Sequence, residues 1–279
     1  MIKRMQLIKK TKNSGAYAQH KNLSIQFSLD GFYFCITNSI TKEAIVYTEY
    51  VFEKSIDSPE LLLEKVIQIF KEDKDLQQDF DTVFAIHQNN LATLVPDEFF
   101  DKDNLKAYLS YTIKTLFTDF ITYDSLEKIK ANLVYIPYVN INNFIFQNFG
   151  EFEYKHHASI LLDKILAHSK KHTLSTAFYV HVGKMLMDII IIKDNELVLY
   201  NSFNYQSKED FIYYILFVAE QLDLNPDTFT LLLSGAIEKD SDLYSITYKY
   251  VRNVQFIEST STFFTNEDEF SNHSTYILL

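Results

Sequence analysis

Glycine, proline, cysteine and tryptophan are all scarce here: the 279 residues include five Gly, four Pro, one Cys and no Trp. So few glycines exclude a broad Gly-rich phosphate cradle, because a loop whose N–H groups close on a ligand needs residues without a Cβ. Only Gly15, Gly31, Gly150, Gly183 and Gly235 are available for that task. The lone Cys35 excludes an intrachain disulfide and fits a reducing compartment; within the apolar run FYFCIT it reads as core filling, not as a nucleophile. No Pro- or Gly-rich stretch stands as a flexible linker, so any two halves are expected to be joined by structure. Long apolar runs are missing as well. Phe211 to Ala219 is far too short to cross a bilayer, and the beginning of the chain lacks a signal-type apolar region. The expectation is a cytoplasmic protein with no membrane role.

Carboxylates are absent from residues 1–29, which instead carry Lys3, Arg4, Lys9, Lys10, Lys12 and Lys21. All of the acid excess behind the net charge of −11 therefore lies beyond that basic stretch. An acidic body argues against a broad nucleic-acid groove, since neutralising phosphates takes clustered Lys and Arg. Only the basic N-terminal arm, residues 1–22, suits an anionic partner, and as a chain end it reads first as a solvated terminus. What the chain has in quantity is apolar and aromatic: 47% hydrophobic residues, with 24 Phe and 19 Tyr, enough for one large core or two smaller ones.

The pattern repeats. Residues 23–29 alternate as a half-buried strand, Asp30-Gly31 marks a turn, FYFCIT (32–37) runs back, and AIVYTEYVF (44–52) gives a third strand. Ser58 then caps a helix whose first residue is Pro59, with Leu62, Val66 and Ile69 at helical spacing, before DTVFAIH (81–87). The same order returns from residue 176. TAFYVHV, a turn at Gly183-Lys184, MLMDIIII and ELVLYNSF precede a helix capped by Ser207 with Phe211, Ile215, Val218 and Leu222 on its apolar face, then DTFTLLL (227–233). Gly31 pairs with Gly183, Ser58 with Ser207, and Asp81-Thr82 with Asp227-Thr228. Between the copies the sequence suggests a helix near 103–118, a strand at 132–139 and a helix near 158–171; beyond them, a helix over 240–250 and a strand at 253–258. The implied layout is a basic arm (1–22), a first lobe (23–150), a connecting helix region (151–175), a second lobe (176–258) and an acidic tail (259–279).

Two copies of a hairpin, third strand, helix and strand, each hairpin turn marked by Gly, resemble the actin, heat-shock-70 and sugar-kinase superfamily. More narrowly, LSIQFSLDGFYFCI, YIPYVNINNFIFQNFGEFEY and FYVHVGKMLMDIIIIKDNELVLYNSF resemble a Bacteroidetes family of unknown function with an actin-like ATPase fold, over about residues 20 to 258. The resemblance implies a two-lobed α/β protein with duplicated mixed five-stranded sheets of ribonuclease-H-like topology. It also implies a place for ATP or ADP with Mg²⁺, where Asp-x-Gly turns meet the phosphates and metal and a Gly-Gly turn holds the adenosine. Carried over residue by residue, the cofactor-binding positions are Asp30, Gly31, His181, Gly183, Lys184, Ser234 and Gly235. Each motif departs from the pattern. Leu29 stands where the first carboxylate is expected, with Asp30 one residue on; His181 replaces the second carboxylate; Ser234-Gly235-Ala236 keeps one glycine of two.

Other groupings read as structural. His168 and His172 sit four apart on a helix end beside Lys170 and Lys171, without the interposed acid of a zinc motif. Ser234 lacks the flanking glycine of a nucleophile elbow, and Asp188 either is a buried carboxylate or turns to solvent by strand alternation. No catalytic and no metal-ligating residue is assigned. Losing both metal-orienting carboxylates points to a non-hydrolysing relative acting as an interaction or scaffolding module on a protein partner. The alternatives are an ATP-binding protein or weak ATPase that uses Asp30, and a nucleic-acid-processing accessory that uses the basic arm.

Overall fold

The structure is a computed structural model that describes residues 5–12, 20–172, 176–257 and 276–278. It divides into two compact units. The first holds the chain up to residue 125 together with 132–157, and the second 126–131 with 158–277.

In the first unit, β1 (Met5–Lys12), β2 (Lys21–Ser28), β3 (Gly31–Asn38) and β4 (Ala44–Phe52) precede helix α1 (Pro59–Glu72) and β5 (Thr82–His87). Next come β6 (Ala92–Pro96), α2 (Leu105–Ser110), β7 (Thr122–Leu126), β8 (Ala131–Tyr135), α3 (Val139–Phe149) and β9 (Glu153–His156). The main sheet has the order β1-β4-β3-β2-β5-β9, while β6-β8-β7 form a small sheet of their own. Strand β5 is parallel to both β2 and β9, and the remaining pairs are antiparallel. Alternation turns Leu23, Ile25 and Phe27 of β2 and Phe32, Phe34 and Ile36 of β3 into one cluster with Leu62, Val66 and Ile69 of α1 and Ile141 and Ile145 of α3. Full burial of each such side chain stabilises by about 2 kcal/mol. The spacing of the sequence and the observed helix face agree at α1, where Ser58 Oγ accepts the Leu61 N–H and Pro59 opens the first turn.

The second unit opens on α4 (His157–Lys171) and then runs β10 (Thr176–Val182), β11 (Leu186–Lys193), β12 (Glu196–Asn204), α5 (Lys208–Gln221), β13 (Thr230–Gly235), α6 (Asp242–Tyr250) and β14 (Asn253–Phe256). Its sheet order is β12-β11-β10-β13-β14. With β1 set aside, the first sheet has the same strand order and the same directions, so the duplication inferred from the repeat is a duplication of fold. Even a bulge recurs: Ile45 in β4 and Val198 in β12 are the extra residues where the register slips. Phe178, Val180, Met187, Ile189, Leu231 and Leu233 pack under Phe211, Ile215 and Val218 of α5.

Several segments differ from what their sequence suggests. Part of the basic stretch is a sixth strand, β1, paired with β4 so that Lys9 stands opposite Glu49; residues 1–4 and 13–19 lie outside the described residues. The region 151–175 begins with β9, which completes the first sheet in the place that β14 takes in the second. A helix over 103–118 shrinks to Leu105–Ser110, because β-branched Thr112, Ile113 and Thr115 follow and the Thr112 and Ile113 N–H groups both turn back onto the Leu109 carbonyl. Of 259–279, only Tyr276–Leu278 are described; they are buried, and Lys164 of α4 donates to the Tyr276 carbonyl at 2.8 Å.

At α5 the cap is reciprocal: Ser207 Oγ accepts the Asp210 N–H at 3.1 Å, and Asp210 Oδ2 accepts the Ser207 N–H at 3.1 Å. Ser207→Ala removes one arm and is expected to cost about 1 kcal/mol in urea unfolding, with the α5 region opening first in hydrogen exchange.

Candidate functional site

The residues singled out in the sequence fall at strand ends. In the first unit Asp30 and Gly31 occupy the β2–β3 turn, where Ser28 pairs with Gly31 across two residues. Asp30 is spent locally. Its N–H donates to Ser28 Oγ at 3.1 Å, its carbonyl accepts the Phe52 N–H at 2.9 Å, and its carboxylate accepts the Ser55 hydroxyl. Leu29 packs against the core of the same unit. A Cβ on Gly31 would stand 2.8 Å from the Tyr50 carbonyl and 2.8 Å from the Tyr33 hydroxyl, so close packing of the sheet itself requires glycine there.

In the second unit the structure brings His181, Ser234 and Gly235 together at the carboxyl ends of the parallel strands β10 and β13. The register places Ser202, Asp188, His181 and Ser234 in one row across four strands. Because Val180 and Val182 face the α5 core, alternation puts this row on the other face of the sheet with Tyr179, whose hydroxyl meets His168 Nδ1 of α4 at 3.2 Å. His181 Nδ1 lies 3.0 Å from Ser234 Oγ, and Asp188 Oδ1 accepts the Tyr200 hydroxyl at 3.1 Å and that of Ser202. Asp188 is therefore buried, and strand alternation does not turn it to solvent. A serine, a histidine and an aspartate in line have the composition of an acyl-transfer triad, but Ser234 is wholly buried. The row is a satisfied polar ladder.

The turn that follows is closed. The Gly183 N–H donates to the Leu186 carbonyl at 2.7 Å, and the Gly183 carbonyl accepts the Tyr205 hydroxyl at 2.5 Å. Lys184 is exposed at the tip. Gly235 has φ +84°, and a Cβ there would lie 2.2 Å from the Val182 carbonyl oxygen; the Ala236 N–H donates to that same oxygen at 2.6 Å.

A second polar centre, in the first unit, went unread in the sequence. His87, at the end of β5, is fully buried; its Nδ1 accepts the Tyr138 N–H at 3.0 Å, so the proton sits on Nε2 and goes to Asn142 Oδ1 at 2.9 Å. Burial holds its pKa down to about 3. Next to it Asn89 Oδ1 accepts the Leu91 N–H at 2.8 Å, and Asp124 receives the Tyr135 hydroxyl and the His156 N–H at 3.1 and 2.9 Å. Burial pushes His156 well below the ordinary histidine range too. The signal was the run His87-Gln88-Asn89-Asn90 directly after an apolar strand, where polar side chains must find partners if they are buried. Among the described residues no group of three His, Cys, Asp or Glu is placed to hold a metal, and burial pushes the Cys35 thiol up to about 12.

A family model described as protein of unknown function (DUF3822) matches residues 10–254. The chain belongs to that family. A solved relative of this DUF3822 chain, from Bacteroides thetaiotaomicron, is described as a protein with actin-like ATPase fold and unknown function. It superimposes with TM-score 0.77 at 23% identity, covering 88% of this chain and 94% of the other. The PilM-PilN type IV pilus biogenesis complex contains a chain that superimposes with TM-score 0.53 at 11% identity, covering 85% and 88%. No curated protein matches the sequence significantly. These likenesses establish the actin-like fold for this DUF3822 member.

Two outcomes test the reading of these residues as structural. Gly235→Ala must both strain a positive-φ residue and displace backbone, so it is expected to cost about 4 kcal/mol or more, whereas Gly150→Ala, at φ +77° and ψ −138° with nothing within 4 Å of the new Cβ, carries the backbone strain alone and is expected to cost about 2 kcal/mol. Urea midpoints of the two variants measure the difference. His87 must stay neutral in the folded state, so its contribution is complete above the unfolded histidine pKa near 6.5 and falls as acid protonates the unfolded chain. Between pH 7.5 and pH 5 the stability gap between wild type and His87→Gln is expected to move by about 2 kcal/mol against wild type. A pH-independent gap would remove His87 from this role.

Proposed function

We propose that this protein is an actin-like relative whose nucleotide chemistry has been lost, and that it works in the cytoplasm as an interaction or scaffolding module. The observation that carries the reading is the closed turn at Gly183. A phosphate cradle needs convergent N–H groups that no other acceptor has taken, and here the Gly183 N–H is spent on Leu186 and the Ala236 N–H on Val182. The donor set is equally unsuited to Mg²⁺ with ATP or ADP. A hard cation asks for carboxylates, and the second motif offers His181 held to Ser234, while Asp30 of the first is occupied by Ser55. Lys184 and Gly31 alone do not supply what phosphoryl transfer requires, which is charge placed on both sides of the moving group.

An interaction role agrees with the fold having outlived its chemistry: both sheets and the helices packed on them are intact, so a rigid surface persists without a catalytic centre. One protein of similar fold was solved as part of a two-protein complex, PilM-PilN, which supports a protein partner as the kind of ligand to look for. No helix among the described residues is long and apolar enough to cross a membrane.

Calorimetry of the full chain with Mg²⁺ and ATP or ADP tests the proposal. No saturable heat up to millimolar nucleotide is expected, and no phosphate release. Tight binding with turnover that disappears in Asp30→Asn would replace it with an active ATPase.

A further inference from the structure

Tyr276, Ile277 and Leu278 form a turn that belongs to neither sheet, and all three are buried. A short turn without ladder or helix bonds opens locally at a small fraction of the global stability, so its hold depends on what its side chains and carbonyls meet. The second unit grips Tyr276 and Ile277 through Lys164 of α4. Lys164 Nζ donates to the Tyr276 carbonyl at 2.8 Å and to the Ile277 carbonyl at 3.4 Å, and it lies 5.8 Å from the centre of the Tyr276 ring.

Lys164 belongs to an ordered surface. Steps of four residues along α4 place Lys164, His168 and His172 on one face, and the rings of His168 and His172 stack at 4.3 Å. His168 also meets the ring of Tyr179 of β10 edge-on, with centres 5.8 Å apart. Burial raises the pKa of the Tyr276 hydroxyl and Tyr179 adds to the rise, so the two phenols are within electrostatic reach of each other. Burial also holds Lys164 down to about 8. At neutral pH its ammonium keeps the charge and takes two carbonyls and a ring face in place of water. Two successive carbonyls, an aromatic ring and an aliphatic neighbour describe a type of peptide, with the aromatic as its anchor.

We propose that this face of α4, with Tyr179, is a peptide-docking seat that the chain's own Tyr276–Ile277 keeps closed, and that a partner's aromatic–aliphatic segment binds there by displacing it. The occupant has that chemistry because a segment of that chemistry already sits in the place, on carbonyl contacts that any peptide can repeat. A segment tied to its seat through the same chain acts at an effective concentration of about millimolar, so it holds off weak competitors and yields to a stronger one. The inference rests on the interaction-module reading and gives it a site, a partner chemistry and a means of control.

Fluorescence anisotropy of a labelled Ser-Thr-Tyr-Ile-Leu-Leu peptide, the sequence of residues 274–279, tests it on the full chain. Ile277→Asp, or Tyr276→Ala as a milder opening, is expected to free the seat and tighten peptide binding by about tenfold or more over wild type while the circular dichroism stays native. Lys164→Met in the opened chain keeps the apolar stem and is expected to loosen binding by about tenfold, as is a peptide with Ser in place of Tyr. Peptide binding that is equal in wild type and in both opened variants overturns the proposal, as does binding to the opened chain that ignores Lys164 and the peptide's tyrosine. Wild-type dimers that Ile277→Asp dissolves, seen by sedimentation, mean that copies exchange the segment and overturn it too. None of these readouts involves nucleotide, so a failed seat and a surviving ATPase remain distinguishable.

Discussion

The second unit is organised by the contact between Gly235 and Val182. The backbone of β13 approaches that of β10 so closely at its end that a Cβ does not fit, and the Ala236 N–H closes onto the Val182 carbonyl at 2.6 Å. That contact fixes the parallel register, which in turn sets Ser234 beside His181 and His181 opposite Asp188. With the ladder satisfied, the sheet can bury polar groups without the few kcal/mol that each unmade hydrogen bond costs. The Gly183 turn inherits its geometry from the same strand end and closes on itself. Gly235, which looks like a remnant of a phosphate site, thus has a present-day reason in packing. Gly31 has one too, in the crowding at Tyr33 and Tyr50.

Duplication explains most of the rest. Five strands of the first sheet repeat the order and direction of the second, α1 and α5 follow the third strand of each, and α3 and α6 each precede the last. Among the described residues the copies differ by two additions to the first: β1 on the outer edge, and the small β6-β8-β7 sheet with α2 inserted between β5 and α3. Each addition covers something. The insertion brings Asp124 and Tyr135 to the buried His156, and β1 occupies an edge that no described strand fills in the second sheet.

Periodicity made the duplicated strands and helices legible, because alternation and helical spacing report which face is buried, and Ser58, Ser207 and Pro59 mark helix starts chemically. Some short strands escaped: β6, β7 and β9 run four or five residues and carry mixed sequences (ATLVP, TYDSL, EYKH), whereas β8, as short, is legible by its apolar run ANLVY. The helix end at Ser110 depends on β-branched residues whose cost is small and was outweighed in the reading by the surrounding apolar pattern. For the site, the departures at Leu29 and His181 were visible as missing carboxylates, while the reasons for Gly31 and Gly235 were not, since they lie in carbonyl oxygens on neighbouring strands. The His87 centre was hidden for the same cause: Tyr138 and Asn142 are distant in sequence and arrive only with α3.

The central claim is that the amides of Gly183 and Gly235 are structural. With five glycines in the chain, the amide spectrum of Gly31, Gly183 and Gly235 is readily assigned. The account predicts that the Gly183 and Gly235 resonances stay in place when millimolar Mg²⁺ with ATP is added to the ¹⁵N-labelled protein, and that the Gly183 N–H exchanges slowly with solvent. Saturable shifts of Gly183 and Gly235 together, with a fast-exchanging Gly183 N–H in the free protein, would contradict it.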